Sequence, residues 1–191
     1  MSYFKIMTRL MGSEIMGADL RYPIGKVYQA KHEVTPEEKE RWINDIAEFP
    51  LKLRLAVQGL SPEQLDTPYR PGGWTVRQVV HHLAEGQMVA YTRVKFALTE
   101  DHPIITIQQE DLWAELPDYR DVPIESSLQL FQLIQERLVT LLRGLNTEDF
   151  GRAYVHPVSG TWTLENVIGL LAWHSKHHTA HITSLRERMG W

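Results

Sequence analysis

The sequence contains no cysteine. This absence excludes disulfide bonds, thiolate metal ligands and a cysteine nucleophile at once. Any metal ion that the protein binds must therefore be held by histidine, carboxylate or water, and any thiol in its chemistry must arrive as a substrate.

Long apolar runs and basic runs are also lacking. No stretch of about 20 apolar residues occurs, so the sequence predicts no membrane-spanning helix, and its beginning lacks the apolar core of a secretory signal. Lysine and arginine are spread along the chain, and a net charge of −4 with a pI of about 6.1 favours neither nucleic acid nor an anionic membrane as a partner. We therefore expect a cytoplasmic protein that binds no nucleic acid and no membrane.

The remaining composition is that of an ordinary globular chain. With 191 residues, of which 43% are hydrophobic and 23% charged, the sequence suits one domain with a sizeable core. Two domains of comfortable size would need a longer chain. We therefore expect a single folded unit.

Four segments have the apolar periodicity of amphipathic helices. Thr35 followed by Pro36 marks the start of the first, and the Thr75 and Gln78 pair has the spacing of a capping box at the start of the second. Gly190 marks the end of the last helix. The predicted helices cover, in approximate bounds, residues 35–59, 74–99, 123–143 and 163–189.

The connection between the second and third predicted helices, residues 101–123, is too long for a simple antiparallel hairpin. Three prolines interrupt it, and only the segment IITI has the character of a strand. We therefore interpret it as a crossover and the other two connections as short loops. The sequence predicts an all-α protein, a four-helix bundle in which a long crossover joins two helical hairpins.

Six of the nine histidines lie in two short clusters, one in the second predicted helix and one in the fourth. On a wheel of the fourth helix, His178 lies about 20° and His174 about 60° from the centre of the apolar face. His181 lies about 80° from that centre and His177 about 120°. Because His174 and His178 are four residues apart, they share a face and can hold one metal ion from the same side. The pair alone fits a metal site and two separately hydrogen-bonded core histidines about equally well, and a third histidine on a neighbouring helix would favour the metal site.

A third ligand is expected from the second predicted helix, which carries His81 and His82. These two side chains flank the apolar stripe of the helix on opposite sides. The wheel does not choose between them, so both remain candidates on the residue pattern alone.

Three segments resemble the DinB/YfiT-like superfamily, and in particular its branch of metal-dependent hydrolases and bacillithiol transferases. The segments are PYRPGGWTVRQVVHHLA, TLENVIGLLAWHSKHHTAHI and the C-terminal RMGW. The resemblance covers residues 20–191 and implies one DinB-like four-helix-bundle domain that is often homodimeric. Residues 1–19 fall outside this domain, and we expect them to form a poorly ordered N-terminal extension.

The resemblance also implies one zinc or nickel ion per chain, held by three histidines. The family ligand that directly precedes a leucine on the second helix matches His82, and the His-x-x-x-His pair of the fourth helix matches His174 and His178. Many members have a glutamine where this chain has His181. We therefore treat His181 as a catalytic candidate, either a fourth ligand or a proton carrier beside the ligands.

Three neutral imidazoles leave a divalent ion with an open position, which is typical of a catalytic site. Such an ion lowers the pKa of a bound water to roughly 7, and it deprotonates a bound thiol outright. No glutamate stands beside the ligands as in the His-Glu-x-x-His motif, although Glu85 or a crossover residue could supply one. We therefore expect a bacillithiol-type S-transferase that activates a low-molecular-weight thiol against small electrophiles.

Two alternatives to thiol transfer remain open. One is a metal-dependent hydrolase that uses metal-bound water, and the other is a metal-stabilised binding or stress-response module without turnover. In either enzyme we expect a small-molecule substrate to contact Tyr91 and Arg93 of the second helix and Trp113 of the crossover. Trp74 could line the pocket or belong to the core.

Overall fold

The computed structural model describes residues 19–31 and 33–191. The predicted N-terminal extension lies outside these residues except for Asp19, so its poor order stays a prediction. No helix of the described part of the chain is both long enough and apolar enough to cross a membrane.

The described chain is mostly helical, with four long helices and one small β-hairpin. In chain order its elements are α1 (Pro36–Val57), α2 (Pro62–Leu65), α3 (Val76–Thr99), α4 (Glu110–Trp113), α5 (Pro117–Asp121), α6 (Ile124–Arg143), α7 (Thr147–Phe150), β1 (Ala153–His156), β2 (Gly160–Thr163) and α8 (Leu164–Met189). The long helices α1, α3, α6 and α8 are the four predicted ones. The predicted helical bundle is therefore confirmed.

Side-chain caps fix where two of the long helices begin. The Thr35 hydroxyl accepts a hydrogen bond from the Glu38 amide, and the Thr75 hydroxyl accepts one from the Gln78 amide at 3.1 Å. In the reciprocal hydrogen bond, the Gln78 side-chain oxygen accepts from the Thr75 amide at 2.9 Å. Each reciprocal pair satisfies backbone donors that the first turn of a helix leaves free.

The order of the helices around the bundle differs from the two predicted hairpins. Helix α1 packs against α6 and α8, and α3 packs against the same two helices, so α1 lies diagonally opposite α3, and α6 lies diagonally opposite α8. The predicted crossover therefore joins α3 and α6, which are neighbours in the bundle. The prediction of short loops was wrong, because α2 lies between α1 and α3, while α7 and the β-hairpin lie between α6 and α8. With helices packed 8–10 Å apart, a diagonal measures roughly 14 Å, which links of this length can span.

The predicted crossover between α3 and α6 contains α4 and α5 and also a single strand contact. Ile104 forms an isolated parallel bridge with Val155 of β1, and the Ile105 amide donates to the Val155 carbonyl at 3.0 Å. The predicted strand character of IITI thus reflects one bridge to a hairpin that the sequence did not predict. This hairpin pairs Ala153 with Thr163 and leads directly into α8.

Two apolar clusters fill the bundle. One contains Ile46 and Ala172, and the other contains Leu53 and Ile182. Burying a large aliphatic side chain stabilises a fold by about 1.5–3 kcal/mol, so both clusters contribute strongly to stability. The stretch of α8 between Ala172 and Ile182 carries the histidines, which therefore lie between the two clusters.

A segment preceding α1 lies on the outer face of α8. The Tyr28 hydroxyl donates to the Asn166 side-chain oxygen at 2.9 Å, and the Lys31 amide donates to the same oxygen at 2.7 Å. The Tyr28 ring also meets Trp42 of α1 edge to face, with centroids 5.7 Å apart. This approach requires a glycine, because a Cβ on Gly169 would stand 2.7 Å from the Tyr28 hydroxyl oxygen.

Gly169→Ala is therefore expected to destabilise the protein by about 1 kcal/mol. Alanine favours a helix over glycine by about 0.5–1 kcal/mol, but overpacking against Tyr28 opposes this with about 1–3 kcal/mol. Urea unfolding measures the difference. In a Tyr28→Ala background the same substitution should stabilise the protein, and stabilisation in the wild-type background would show that Tyr28 does not press on this glycine.

Candidate metal centre

Histidines from α3 and α8 meet between the two apolar clusters. His82, His174 and His178 form what we call the first histidine set, and each offers a ring nitrogen that lies within 4.8 Å of the other two. The ring centroids of His82 and His178 lie 4.6 Å apart, and those of His174 and His178 also lie 4.6 Å apart. The sequence-predicted ligands are thus brought together, although metal binding by them stays a prediction.

Helix geometry explains this convergence. His174 and His178 lie one turn apart on α8, so their side chains project from the same face. His82 lies in the second turn of α3, which the cap at Thr75 anchors and which packs against α8. The site therefore depends on the contact between α3 and α8.

The distances within the first histidine set suit a divalent ion. The Nε2 atoms of His82 and His174 lie 3.1 Å apart. Two nitrogens bound at 2.0–2.1 Å to one tetrahedral ion would be separated by roughly 3.3 Å, so little movement is needed. The Nδ1 atoms of His82 and His178 are buried without a hydrogen-bond partner among the described residues.

The electrostatics of the first histidine set also suit a metal. Burial lowers the pKa of His174 to about 4, and it holds the pKa of His82 and of His178 well below 6.5, with the neighbouring histidines adding to the shift. All three rings are therefore uncharged near neutral pH. Neutral imidazole is the form that binds metal ions, and three such ligands leave the charge of a divalent ion intact.

Trp74 covers one side of the first histidine set. Its ring centroid lies 4.6 Å from that of His82, and its ring is nearly parallel to that of His178 at 6.0 Å. His174 and His178 keep part of their surface exposed, so the set is not sealed from solvent. Trp74 also packs against the apolar cluster that contains Leu53 and Ile182, so it contacts both the core and the histidines, and its role as a pocket wall stays a prediction.

A second group of histidines lies on the other side of His178. His177, His178 and His181, which we call the second histidine set, each offer a ring nitrogen within 4.8 Å of the others. His181 belongs to this set and lies outside the first. The His181 ring centroid lies 5.4 Å from that of His178. Whether His181 acts as a fourth ligand or as a proton carrier is not tested by this arrangement, so that role stays a prediction.

The sequence did not single out His177, because the wheel placed it far from the apolar face. The side chain is nevertheless buried, since it packs on Trp173 with ring centroids 4.4 Å apart and has Tyr22 at 6.2 Å. Tyr22 belongs to the segment that precedes α1. A wheel of α8 registers only apolar residues within that helix, so it cannot reveal a face covered by another part of the chain.

His81 points away from both histidine sets. Its Nδ1 lies 2.7 Å from the Ser127 hydroxyl of α6, and its ring faces Tyr119 of α5. The Tyr119 hydroxyl donates to a carboxylate oxygen of Glu85 at 2.6 Å, and burial raises the pKa of Glu85. Within residues 19–31 and 33–191 neither histidine set includes a carboxylate, so Glu85 pairs with Tyr119 and does not join the ligands.

The three predicted substrate-binding residues lie in different places. Tyr91 and Arg93 follow His82 by nine and eleven residues, which places them roughly 14 and 17 Å further along α3. The Arg93 guanidinium donates to the Thr106 carbonyl at 2.6 Å, and the Tyr91 hydroxyl accepts from Arg137 at 3.4 Å. The structure therefore does not bring these two side chains to the histidines.

Trp113 lies nearer to the first histidine set. The carbonyl of the next residue, Ala114, accepts a hydrogen bond from Gln78 at 3.0 Å, and Gln78 stands one turn before His82 on α3. The segment that carries Trp113 therefore lies against the part of α3 that supplies a ligand. Substrate binding by Tyr91, Arg93 and Trp113 stays a prediction.

Comparisons with known proteins agree on one family. A family model for the DinB superfamily matches residues 45–182. A protein of Bacillus cereus strain 03BB102 named "Putative metal-dependent hydrolase" is 49% identical over 173 residues, which cover 91% of this chain and 99% of the relative. A protein of Bacillus anthracis strain A0248 with the same name shows the same identity and the same coverage.

A solved structure is similar over the same length. YfiT from Bacillus subtilis aligns with a TM-score of 0.88 and 47% sequence identity, covering 91% of this chain and 99% of that chain. It is described as "a probable metal-dependent hydrolase with an unusual four-helix bundle topology". The diagonal positions of α1 and α3, and of α6 and α8, fit a bundle of unusual topology.

Proposed function

The chain belongs to the DinB superfamily, and from this membership we propose that it is a metal-dependent hydrolase whose divalent ion is held by His82, His174 and His178. One observation carries the proposal: three uncharged imidazoles from two helices offer nitrogens within 4.8 Å of one another. The names of the relatives support hydrolysis over the thiol transfer that the sequence favoured. The family resemblance itself is confirmed.

The residues of the site prepare it for this chemistry. The three histidines supply uncharged lone pairs from a buried position, and their low pKa values keep protons from competing at neutral pH. A divalent ion in such a site supplies Lewis acidity and lowers the pKa of a bound water to about 7. Trp74 packs beside His82 and His178 on one side, while His174 and His178 keep part of their surface exposed.

Thiol transfer is a second candidate, and one observation favours it. Within the described residues both histidine sets lack a carboxylate, and Glu85 is bonded to Tyr119. Hydrolases of the His-Glu-x-x-His type use a glutamate beside the ligands as a general base. A thiol needs no such base, because the metal ion itself favours the thiolate.

We expect metal-loaded protein to hydrolyse an activated ester such as p-nitrophenyl acetate, with the rate falling to background after treatment with a chelator. Added thiol, either bacillithiol or cysteamine, should inhibit the metal-dependent rate competitively, and the metal-dependent product should contain no thiol adduct beyond the amount that forms without protein. Rates with and without thiol, followed by mass spectrometry of the products, test this. Acceleration by thiol with a thiol adduct in the product would contradict hydrolysis and favour transfer.

Absence of any turnover with either water or thiol as the nucleophile would favour the binding-module alternative.

We propose zinc or nickel as the ion, because imidazole nitrogen suits both. The homodimer, the small-molecule substrate and the cytoplasmic location remain predictions.

A further inference from the structure

The second histidine set contains unpaired polar atoms that the proposed hydrolase site does not explain. The Nδ1 atoms of His177, His178 and His181 are all buried and have no hydrogen-bond partner among the described residues. Burying an unpaired polar nitrogen destabilises a fold, and three such atoms in one small cluster are unusual in a native protein. A bound species that accepts electron pairs from these nitrogens would offset the energetic cost of burying them.

The surroundings of His181 identify which of its nitrogens carries the lone pair. Its Nε2 lies 3.2 Å from the Arg21 carbonyl oxygen, which can only accept, so Nε2 carries the proton and donates. The Nδ1 atom of His181 therefore presents a free lone pair. In metal-binding histidines, the ring nitrogen that does not bind the metal usually donates its N–H to a carbonyl or carboxylate. His181 has this arrangement with the Arg21 carbonyl, which involves no residue of the first histidine set.

Aromatic packing holds the rings of the second histidine set in place. His181 stacks on Tyr69 with ring centroids 3.9 Å apart, and His177 stacks on Trp173 at 4.4 Å. The His177 and His181 rings themselves lie 4.3 Å apart. Two rigidly held rings with adjacent unpaired nitrogens lose little conformational freedom when they bind an ion.

We propose that His177, His178 and His181 form a second site for a divalent transition-metal ion, and that this site shares His178 with the first. Imidazole nitrogen selects ions such as zinc, nickel and copper over magnesium and calcium. Because His178 belongs to both histidine sets, the two sites are coupled through one ring.

The test removes the first site and keeps the second. In the double variant His82→Ala and His174→Ala, we expect one zinc ion per chain by equilibrium dialysis, and cobalt substitution should give a visible d–d absorption band. Adding His181→Gln should weaken zinc binding at least 100-fold, although glutamine can still donate to the Arg21 carbonyl. Adding His102→Asn instead is the matched control, because His102 is exposed, and it should leave binding unchanged.

A folded double variant, shown by circular dichroism, that binds no zinc would overturn the proposal. If the double variant does not fold, the single variant His82→Gln serves, and zinc binding to it should weaken at least 10-fold on adding His181→Gln. If His82→Gln and the variant carrying both His82→Gln and His181→Gln bind zinc with equal affinity, the proposal is overturned. The proposed function fails separately, through absence of turnover in the wild-type protein, which does not affect zinc binding to the double variant.

Discussion

Replacing His178 by alanine is expected to abolish tight metal binding and to lower metal-dependent turnover at least 100-fold. His178 is the one histidine that belongs to both histidine sets, so its loss leaves two ligands at most in either. Removing even a group that only supports a metal ligand typically lowers metal affinity or activity 10–100-fold, and loss of a ligand should exceed this. Metal analysis after dialysis and the ester assay measure the two effects.

The matched control for His178→Ala is His81→Gln. His81 lies on the same helix as His82, but it is bonded to Ser127 and points away from both sets. The control should therefore keep its metal ion and its turnover, with at most a loss of stability. Wild-type metal content in His178→Ala would show that neither histidine set is the metal site.

His174→Ala and His82→Ala should behave differently from His178→Ala if the second site exists. Each removes a ligand from the first histidine set alone and leaves the second set complete. Turnover should fall as far as in His178→Ala, while one zinc ion should remain bound. Comparing metal content with turnover across the three variants therefore separates the catalytic ion from an ion in the second site.

The positions of the four long helices followed from local signals that the structure confirms. Thr35 and Thr75 cap their helices by hydrogen bonding to residues three positions further along the chain. Because these partners are close in sequence, the caps can be recognised from the sequence alone. The diagonal arrangement of the helices was not predictable in this way. It depends on how the links cross the ends of the bundle, and their short helices and hairpin give weak periodic signals.

The candidate site, like the fold, was predictable from the sequence only in part. The pairing of His174 with His178 follows from their spacing on one helix, whereas the choice of His82 over His81 required the family resemblance. In the structure His82 faces His174 and His178, whereas His81 lies on another face of α3 beside Ser127 of α6. His177 was missed because its cover comes from Tyr22, which lies outside the helices on which the pattern was read.

Metal-free protein is expected to lose stability steeply as the pH falls from about 6.5 towards 4. Burial lowers the pKa of His174, His177 and His181 to about 4, whereas an unfolded chain keeps histidines near 6.5. Between these values the unfolded chain binds protons that the folded chain does not. Each proton taken up therefore favours unfolding, and stability present above pH 6.5 is lost as the pH falls.

The loss should be large because several histidines act together. A difference of this size corresponds to roughly 1–3 kcal/mol for each histidine once partial screening by solvent is allowed for. Three such residues approach the entire stability of an ordinary domain, about 5–15 kcal/mol. We therefore expect the metal-free protein to unfold cooperatively between about pH 6 and pH 4, as followed by urea midpoints at a series of pH values.

Two comparisons connect this acid sensitivity to the histidines. His181→Gln should flatten the dependence of the urea midpoint on pH, because glutamine takes up no proton, whereas the exposed His102→Asn should leave it unchanged. Zinc should raise the midpoint most at neutral pH and progressively less on acidification, since protons and the metal ion compete for the same nitrogens. A midpoint for the metal-free protein that stays constant from pH 7 to pH 5 would mean that the histidines are not held uncharged by burial, and the electrostatic basis of both metal sites would then fail.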